Sequence, residues 1–266
     1  MKKKILTICL IVALAATAII GGTLAYFTDT DKATNTFTAG GVKIDLIEQQ
    51  RNADHTALED FEQNQVLMPI VGSAQGEKDE LGQPVAKNYV DKIVTIKNTG
   101  KSAAYVRAYF AIPSDLDDGY ETFNAGANIL HFNFGNKFND DGVLVSTEGV
   151  QWNWTHGSTW NYFETTIDGV AYNVYYADYY QVLPAGETTE QFVSGVYLDS
   201  HVDMKDGKYV DTRFPNADLS ILAGTVNCPV VAVAVQAEGF DNAAAAIDAA
   251  FGEQYNPFGG TATNWQ

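Results

Sequence analysis

Residues 89–112 constrain the fold of this chain more than any other stretch. Residues 89–97 alternate apolar and polar side chains, the period of a strand with one face buried. Asn98-Thr99-Gly100-Lys101 follows, and Asn and Gly are the residues that tolerate positive φ in tight turns. Residues 103–112 then resume the alternation until Pro113 stops it. The pattern predicts an antiparallel hairpin. Tyr105 and Arg107 alternate with Val106 and Ala108, so one set would face a core and the other the outside. A hairpin buries nothing alone, so further strands must cover it.

The rest of the chain supplies them. Residues 42–48 alternate, residues 49–58 read as a loop, and residues 65–70 form a short strand ended by Pro69. Residues 72–84 carry glycines and charges and read as a mobile surface loop. Residues 143–147 and 150–155 suggest a strand pair, and residues 170–181 and 188–198 two more strands. Leu183-Pro184-Ala185-Gly186 reads as the turn between these last two. Residues 226–237 are apolar throughout, as in a central strand. Residues 241–252 form the one expected helix, with Asp241 as its cap and Gly252 at its end. No βαβ rhythm occurs. The expected fold is therefore mainly β: an antiparallel, jelly-roll-like β-sandwich with one short C-terminal helix and long loops.

The N-terminus reads as an export signal. Lys2, Lys3 and Lys4 precede an apolar run over residues 5–20, and Gly21-Gly22 ends it. Thr23 and Ala25 make a small-x-small site, so cleavage is expected between Ala25 and Tyr26. The alternative is retention as an uncleaved membrane anchor. The expected organisation is a signal at 1–25, an extended segment at 26–40, a β-sandwich at 41–252 and a flexible tail at 253–266. The whole chain has a net charge of −17, and the processed chain sets 13 basic residues against 33 acidic, a net −20. Such a surface repels nucleic acid and anionic membranes. Cys9 leaves with the signal, so Cys228 has no partner for an internal disulfide and reads as a buried core thiol.

The stretch from Gly21 to Leu46 resembles the start of the TasA/camelysin family of Gram-positive secreted proteins. The residues that carry the likeness are Gly21, Gly22, Thr23, Ala25, Tyr26, Phe27, Asp29, Phe37, Ala39, Gly40 and Leu46. The resemblance implies processing by a SipW-type signal peptidase, a β-sandwich fold, and a place in a biofilm matrix or surface fibre. Its camelysin branch also implies metalloprotease-like chemistry.

The residues themselves argue against that chemistry. No H-E-x-x-H occurs, and His55, His131, His156 and His201 have no second His three or four residues away. No G-x-S-x-G elbow and no phosphate-binding glycine loop occurs. The chain is therefore expected not to be an enzyme. The best ligand-like group is Asp199, His201 and Asp203, which share one side of an extended segment, with Asp206 in the turn beyond. Calcium is the one cofactor these oxygens suggest, and ordinary turn chemistry explains the same pattern. Trp152, Trp154, Trp160, Tyr175, Tyr176, Tyr179 and Tyr180 suggest either a sugar-stacking face or core.

Residues 26–38 are Thr-rich and free of proline, with Tyr26, Phe27 and Phe37 as apolar anchors. A terminal strand pairs with its own sheet or with a neighbour's open edge, and the second choice grows a filament. The leading expectation is thus a self-assembling secreted subunit that meets the membrane only before cleavage. A monomeric carbohydrate- or protein-binding module is the first alternative, and a camelysin-like metallopeptidase the second.

Overall fold

The computed structural model describes residues 28–32, 41–117, 128–134, 151–156 and 159–266. In chain order the strands are β1 (Thr28–Lys32), β2 (Ile44–Arg51), β3 (Leu58–Asp60), β4 (Val90–Asp91), β5 (Ile93–Asn98) and β6 (Ala104–Pro113). Then come β7 (Leu130–Phe134), β8 (Trp152–Asn153), β9 (Thr155–His156), β10 (Thr159–Trp160), β11 (Tyr162–Ile167) and β12 (Val170–Tyr179). β13 (Val193–Leu198), β14 (Val202–Lys205), β15 (Lys208–Asp211), β16 (Val230–Gln236) and helix α1 (Ala243–Phe251) complete the described strands and the α-helix, beside short 3-10 turns at Ser114–Leu116 and Ser220–Ala223. The mainly β, antiparallel class with one short helix is as expected. Of the strand pair expected at 143–147 and 150–155, the first member lies outside the described residues, and the second holds β8 and the start of β9.

Two layers form the sandwich. The first is a sheet in the order β1-β16-β6-β12-β11, with β8 also on β12. The second is continuous through backbone bonds. β2 lies between β3 and β5, and residues 187–192 pair along β5 through Asn98 N to Glu187 O, Thr189 N to Ile96 O and Phe192 N to Val94 O. β13 then carries the same pairing on to β4 and β7.

The expected hairpin is not one. β5 pairs with β2 in the second layer, whereas β6 pairs with β16 and β12 in the first. Residues 98–103 therefore arch from one layer to the other. The Asn98 side chain holds the arch by donating to the carbonyls of Ser102 and Leu183, each at 2.9 Å. Gly100 serves close approach rather than positive φ, since a Cβ there would sit 2.5 Å from Gly41 O.

Alternation along β6 does separate two faces, but both are covered. Val106, Ala108, Phe110 and Ile112 join Ile44, Val94 and Ile96 in the core between layers. Tyr105 and Tyr109 lie on the opposite face under Ala246 and Ile247 of α1. Arg107, on this second face, is 5% exposed. It needs partners there, and it has Asp178 directly opposite on β12 and Asp248 on α1. The central strands are thus sandwiched twice, which explains the continuous apolar run in β16.

Four local expectations change. Residues 65–70 form only the bridge between Pro69 and Leu198 instead of a strand. Asn242, not Asp241, caps α1, its side chain accepting from Ala245 N at 2.9 Å, while Gly252 closes the helix at φ 97°. The loop at 72–84 is pinned rather than free. Buried Arg51 forks onto Asp91 and also donates from Nη1 to Asp79 at 2.7 Å. The tail at 253–266 docks instead of trailing: Thr263 pairs with Glu164 on β11, and Trp265 stacks on Phe163 at 4.1 Å.

Candidate functional site

The first candidate is the edge that β1 forms. β1 is antiparallel to β16, from Thr28 opposite Val235 to Lys32 opposite Val231. It is the outermost strand of the first layer on that side. Inside it, Val233, Ala234 and Val235 are at most 1% exposed. This segment therefore closes the edge of β16, which is apolar from Val230 to Val235. The backbone N–H and C=O groups that β16 presents outward require such a partner. The anchors Tyr26, Phe27 and Phe37, with the processing residues Thr23 and Ala25, lie outside the described residues.

The second candidate is the Asp199 cluster. Asp199 follows β13, and the chain turns at Ser200-His201, so these residues do not share the extended segment expected of them. His201 folds back, its backbone N and its Nδ1 each 2.8 Å from Asp199 Oδ1. His131 on β7 brings Nε2 to 3.0 Å from Oδ2, and Arg213 places Nη1 at 3.1 Å from the same oxygen. Asp203 and Asp206 do not join them. Asp203 is exposed and binds Met204 N, and Asp206 with Gly207 makes the positive-φ turn between β14 and β15. His131 and Arg213 were invisible as partners in the sequence, because only the pairing of β7 with β13 brings His131 to Asp199.

Burial works to raise the Asp199 carboxyl, but the His201 N–H, both imidazoles and Arg213 outweigh it and hold it below the usual carboxylate range. Burial pushes the His131 imidazole below its ordinary value against the pull of Asp199. Its ring also stacks on Tyr197 at 5.0 Å. The carboxylate is thus saturated by donors and a guanidinium. Among the described residues no group of three or more His, Cys, Asp or Glu side chains is placed to hold a metal ion. This donor set does not fit a catalytic zinc, which takes three protein ligands and an open position.

The cluster acts as a clasp between β7, β13 and the segment after β15. Asp199→Asn is expected to cost about 1–3 kcal/mol at neutral pH, the scale of lost charged hydrogen bonds. A carboxyl depressed by folding contributes stability above its unfolded pKa and loses it as pH falls through the folded value. The gap between variant and parent should therefore close below about pH 4, read from urea midpoints across pH.

The aromatic group is core, not a face. Trp152, Trp154, Tyr175 and Tyr179 are at most 6% exposed, Trp160 and Tyr176 are half-buried, and Tyr180 alone of that group projects. Trp154 stacks on Phe192 at 4.5 Å. Cys228 is half-buried against the main core, and burial pushes its thiol up to about 12. A cleft of 1010 Å³ opens between the layers, lined in part by Glu48, Lys92, Tyr209 and Cys228. Two of its charges are matched to each other, since Lys92 Nζ lies 2.7 Å from Glu48. Among the described residues no helix is long and apolar enough to cross a membrane.

With the terminal edge strand in place, comparison with known families becomes informative. Residues 1–53 match the camelysin metallo-endopeptidase family. The match covers the stretch that carries the resemblance and ends just beyond β2, so the camelysin likeness holds for the N-terminal region, including β1. No curated protein and no solved structure matches the chain. The metallo-endopeptidase chemistry in that family's description has no fitting ligand set among the described residues.

Proposed function

We propose that the chain is a secreted structural subunit of an extracellular matrix or surface fibre, assembled by donation of its N-terminal strand. One observation carries this reading: a five-residue strand next to the expected cleavage point is the edge partner of the apolar strand β16. A strand in that position makes the same backbone bonds with its own β16 or with that of a neighbour. Exchange then costs little beyond association, and a head-to-tail contact that does not close propagates. Before cleavage at Ala25 the segment is tethered to the signal, so processing by a SipW-type peptidase sets the start of assembly. At −20 the copies repel one another, and salt or divalent ions screen that repulsion. The camelysin match over residues 1–53 supports the N-terminal part of this reading. The burial of the aromatic group disfavours a sugar-binding module.

The test uses the chain from Tyr26 with Thr30→Cys and Val233→Cys, which occupy opposite positions in the register, in a Cys228→Ser background. Oxidation of dilute monomer should lock β1 in cis and abolish filaments in electron micrographs. Oxidation after assembly should give a ladder of covalent multimers on a non-reducing gel. Filaments that still form from the locked monomer would sink strand donation. So would a complete absence of filaments from the reduced chain across salt and pH.

A further inference from the structure

The opposite edge of the same layer carries an inference that goes beyond strand donation. β11 is the last strand of its sheet on that side, yet Tyr162 is 1% and Phe163 0% exposed. The last residues of the chain cover Phe163 and pair with the backbone of Tyr162, whose ring lies in the core between the layers. Thr263 N donates to Glu164 O and Glu164 N to Thr263 O, each at 2.9 Å, and Gln266 N donates to Tyr162 O at 2.9 Å. Asn264 Nδ2 donates to the Glu164 carboxylate at 2.8 Å, and Trp265 lies over Phe163 with 23° between the rings. Gly259 and Gly260, at φ 81° and 78°, double the chain back onto the strand.

The covered segment is TyrPheGluThrThrIle: aromatic and β-branched residues, one charge, no proline and no glycine. That composition marks strands that pair with copies of themselves. Uncovered, the outward N–H and C=O groups of Tyr162 and Glu164 would form a template beside an exposed Phe163.

We propose that residues 261–266 are a guard strand whose release turns the β11 edge into a pairing surface for β11 of a second copy. A second copy is the partner because an antiparallel pair of identical strands is self-complementary about a two-fold axis. The surface stands apart from the β16 edge and does not depend on whether β1 is exchanged.

Two variants test it, both in the oxidised, β1-locked chain described above, so that strand donation cannot contribute. One ends at Gly260. The other keeps full length with Thr263→Pro, which removes the N–H that Glu164 O accepts. In sedimentation velocity the locked parent should be monomeric and both variants at least dimeric. A synthetic peptide of residues 256–266 in excess should return the truncated chain to monomer. A truncated chain that melts cooperatively and stays monomeric overturns the proposal, as does association that the peptide leaves unchanged. Should the truncated chain fail to fold, the proline variant decides: association supports the guard, and a monomer overturns it.

Discussion

Arg107→Ala is expected to destabilise the fold by about 3–5 kcal/mol, the cost of stranding one member of a buried ion pair. The guanidinium sits between the first sheet and α1. Nε lies 2.6 Å from Asp178 Oδ1, Nη2 3.1 Å from Oδ2, and Nη1 3.0 Å from Asp248 Oδ1. Its plane also stands 5.2 Å over the Tyr176 ring. Burial works to lower the guanidinium pKa, yet the paired Asp178 carboxylate more than offsets it, so the charge is firmly kept. Alanine removes the cation and leaves Asp178 buried, at 8% exposure, without it. Urea denaturation followed by circular dichroism measures the loss. Hydrogen exchange should show faster opening of α1, because Asp248 loses its anchor. A double change, Arg107→Met with Asp178→Leu, should recover much of the stability, since apolar residues of similar volume often replace such pairs without loss. A single variant within about 1 kcal/mol of the parent would mean that water reaches Asp178.

Phe110→Ala should cost a similar amount for a different reason. Phe110 is fully buried on β6 and points between the layers, where its ring meets Phe132 of β7 at 5.1 Å. Truncation loses the transfer energy of the ring and leaves a cavity that two rigid sheets close only in part. Phe to Ala in such sites costs about 3–5 kcal/mol. Phe110→Leu should cost markedly less, because most of the volume stays. The denaturant midpoint should fall in that order without a change of slope. Equal losses in the two variants would show that the layers do not depend on this contact.

These two residues show what was legible in the sequence. Strands such as β6 and β12 were visible because alternation reports which side chains share a face. Alternation does not report what covers that face, so the burial of Arg107 came only with α1 lying over it. Nor does it name a partner strand. Asn98-Thr99-Gly100 has the composition of a hairpin turn, but Gly100 is needed where residues 41–43 pass close by, a contact more than fifty residues away in sequence. The tail misled for a related reason. Its Gly, Thr and Asn content signals a loop, whereas docking rests on Trp265 and on backbone bonds that composition does not encode. At the candidate sites, Asp199 and His201 were legible by nearness. His131 and Arg213 came only with the fold.

β1 and the C-terminal segment occupy opposite margins of one sheet, five strand spacings apart in the order β1-β16-β6-β12-β11 and then the tail. At about 4.8 Å per spacing they stand roughly 24 Å from each other across the hydrogen-bonding direction. A reporter fused after Gln266 would hang beside Trp265, distant from the first strand. It would load the margin where Trp265 docks, so a label meant to leave both margins untouched belongs on the exposed Asp206-Gly207 tip.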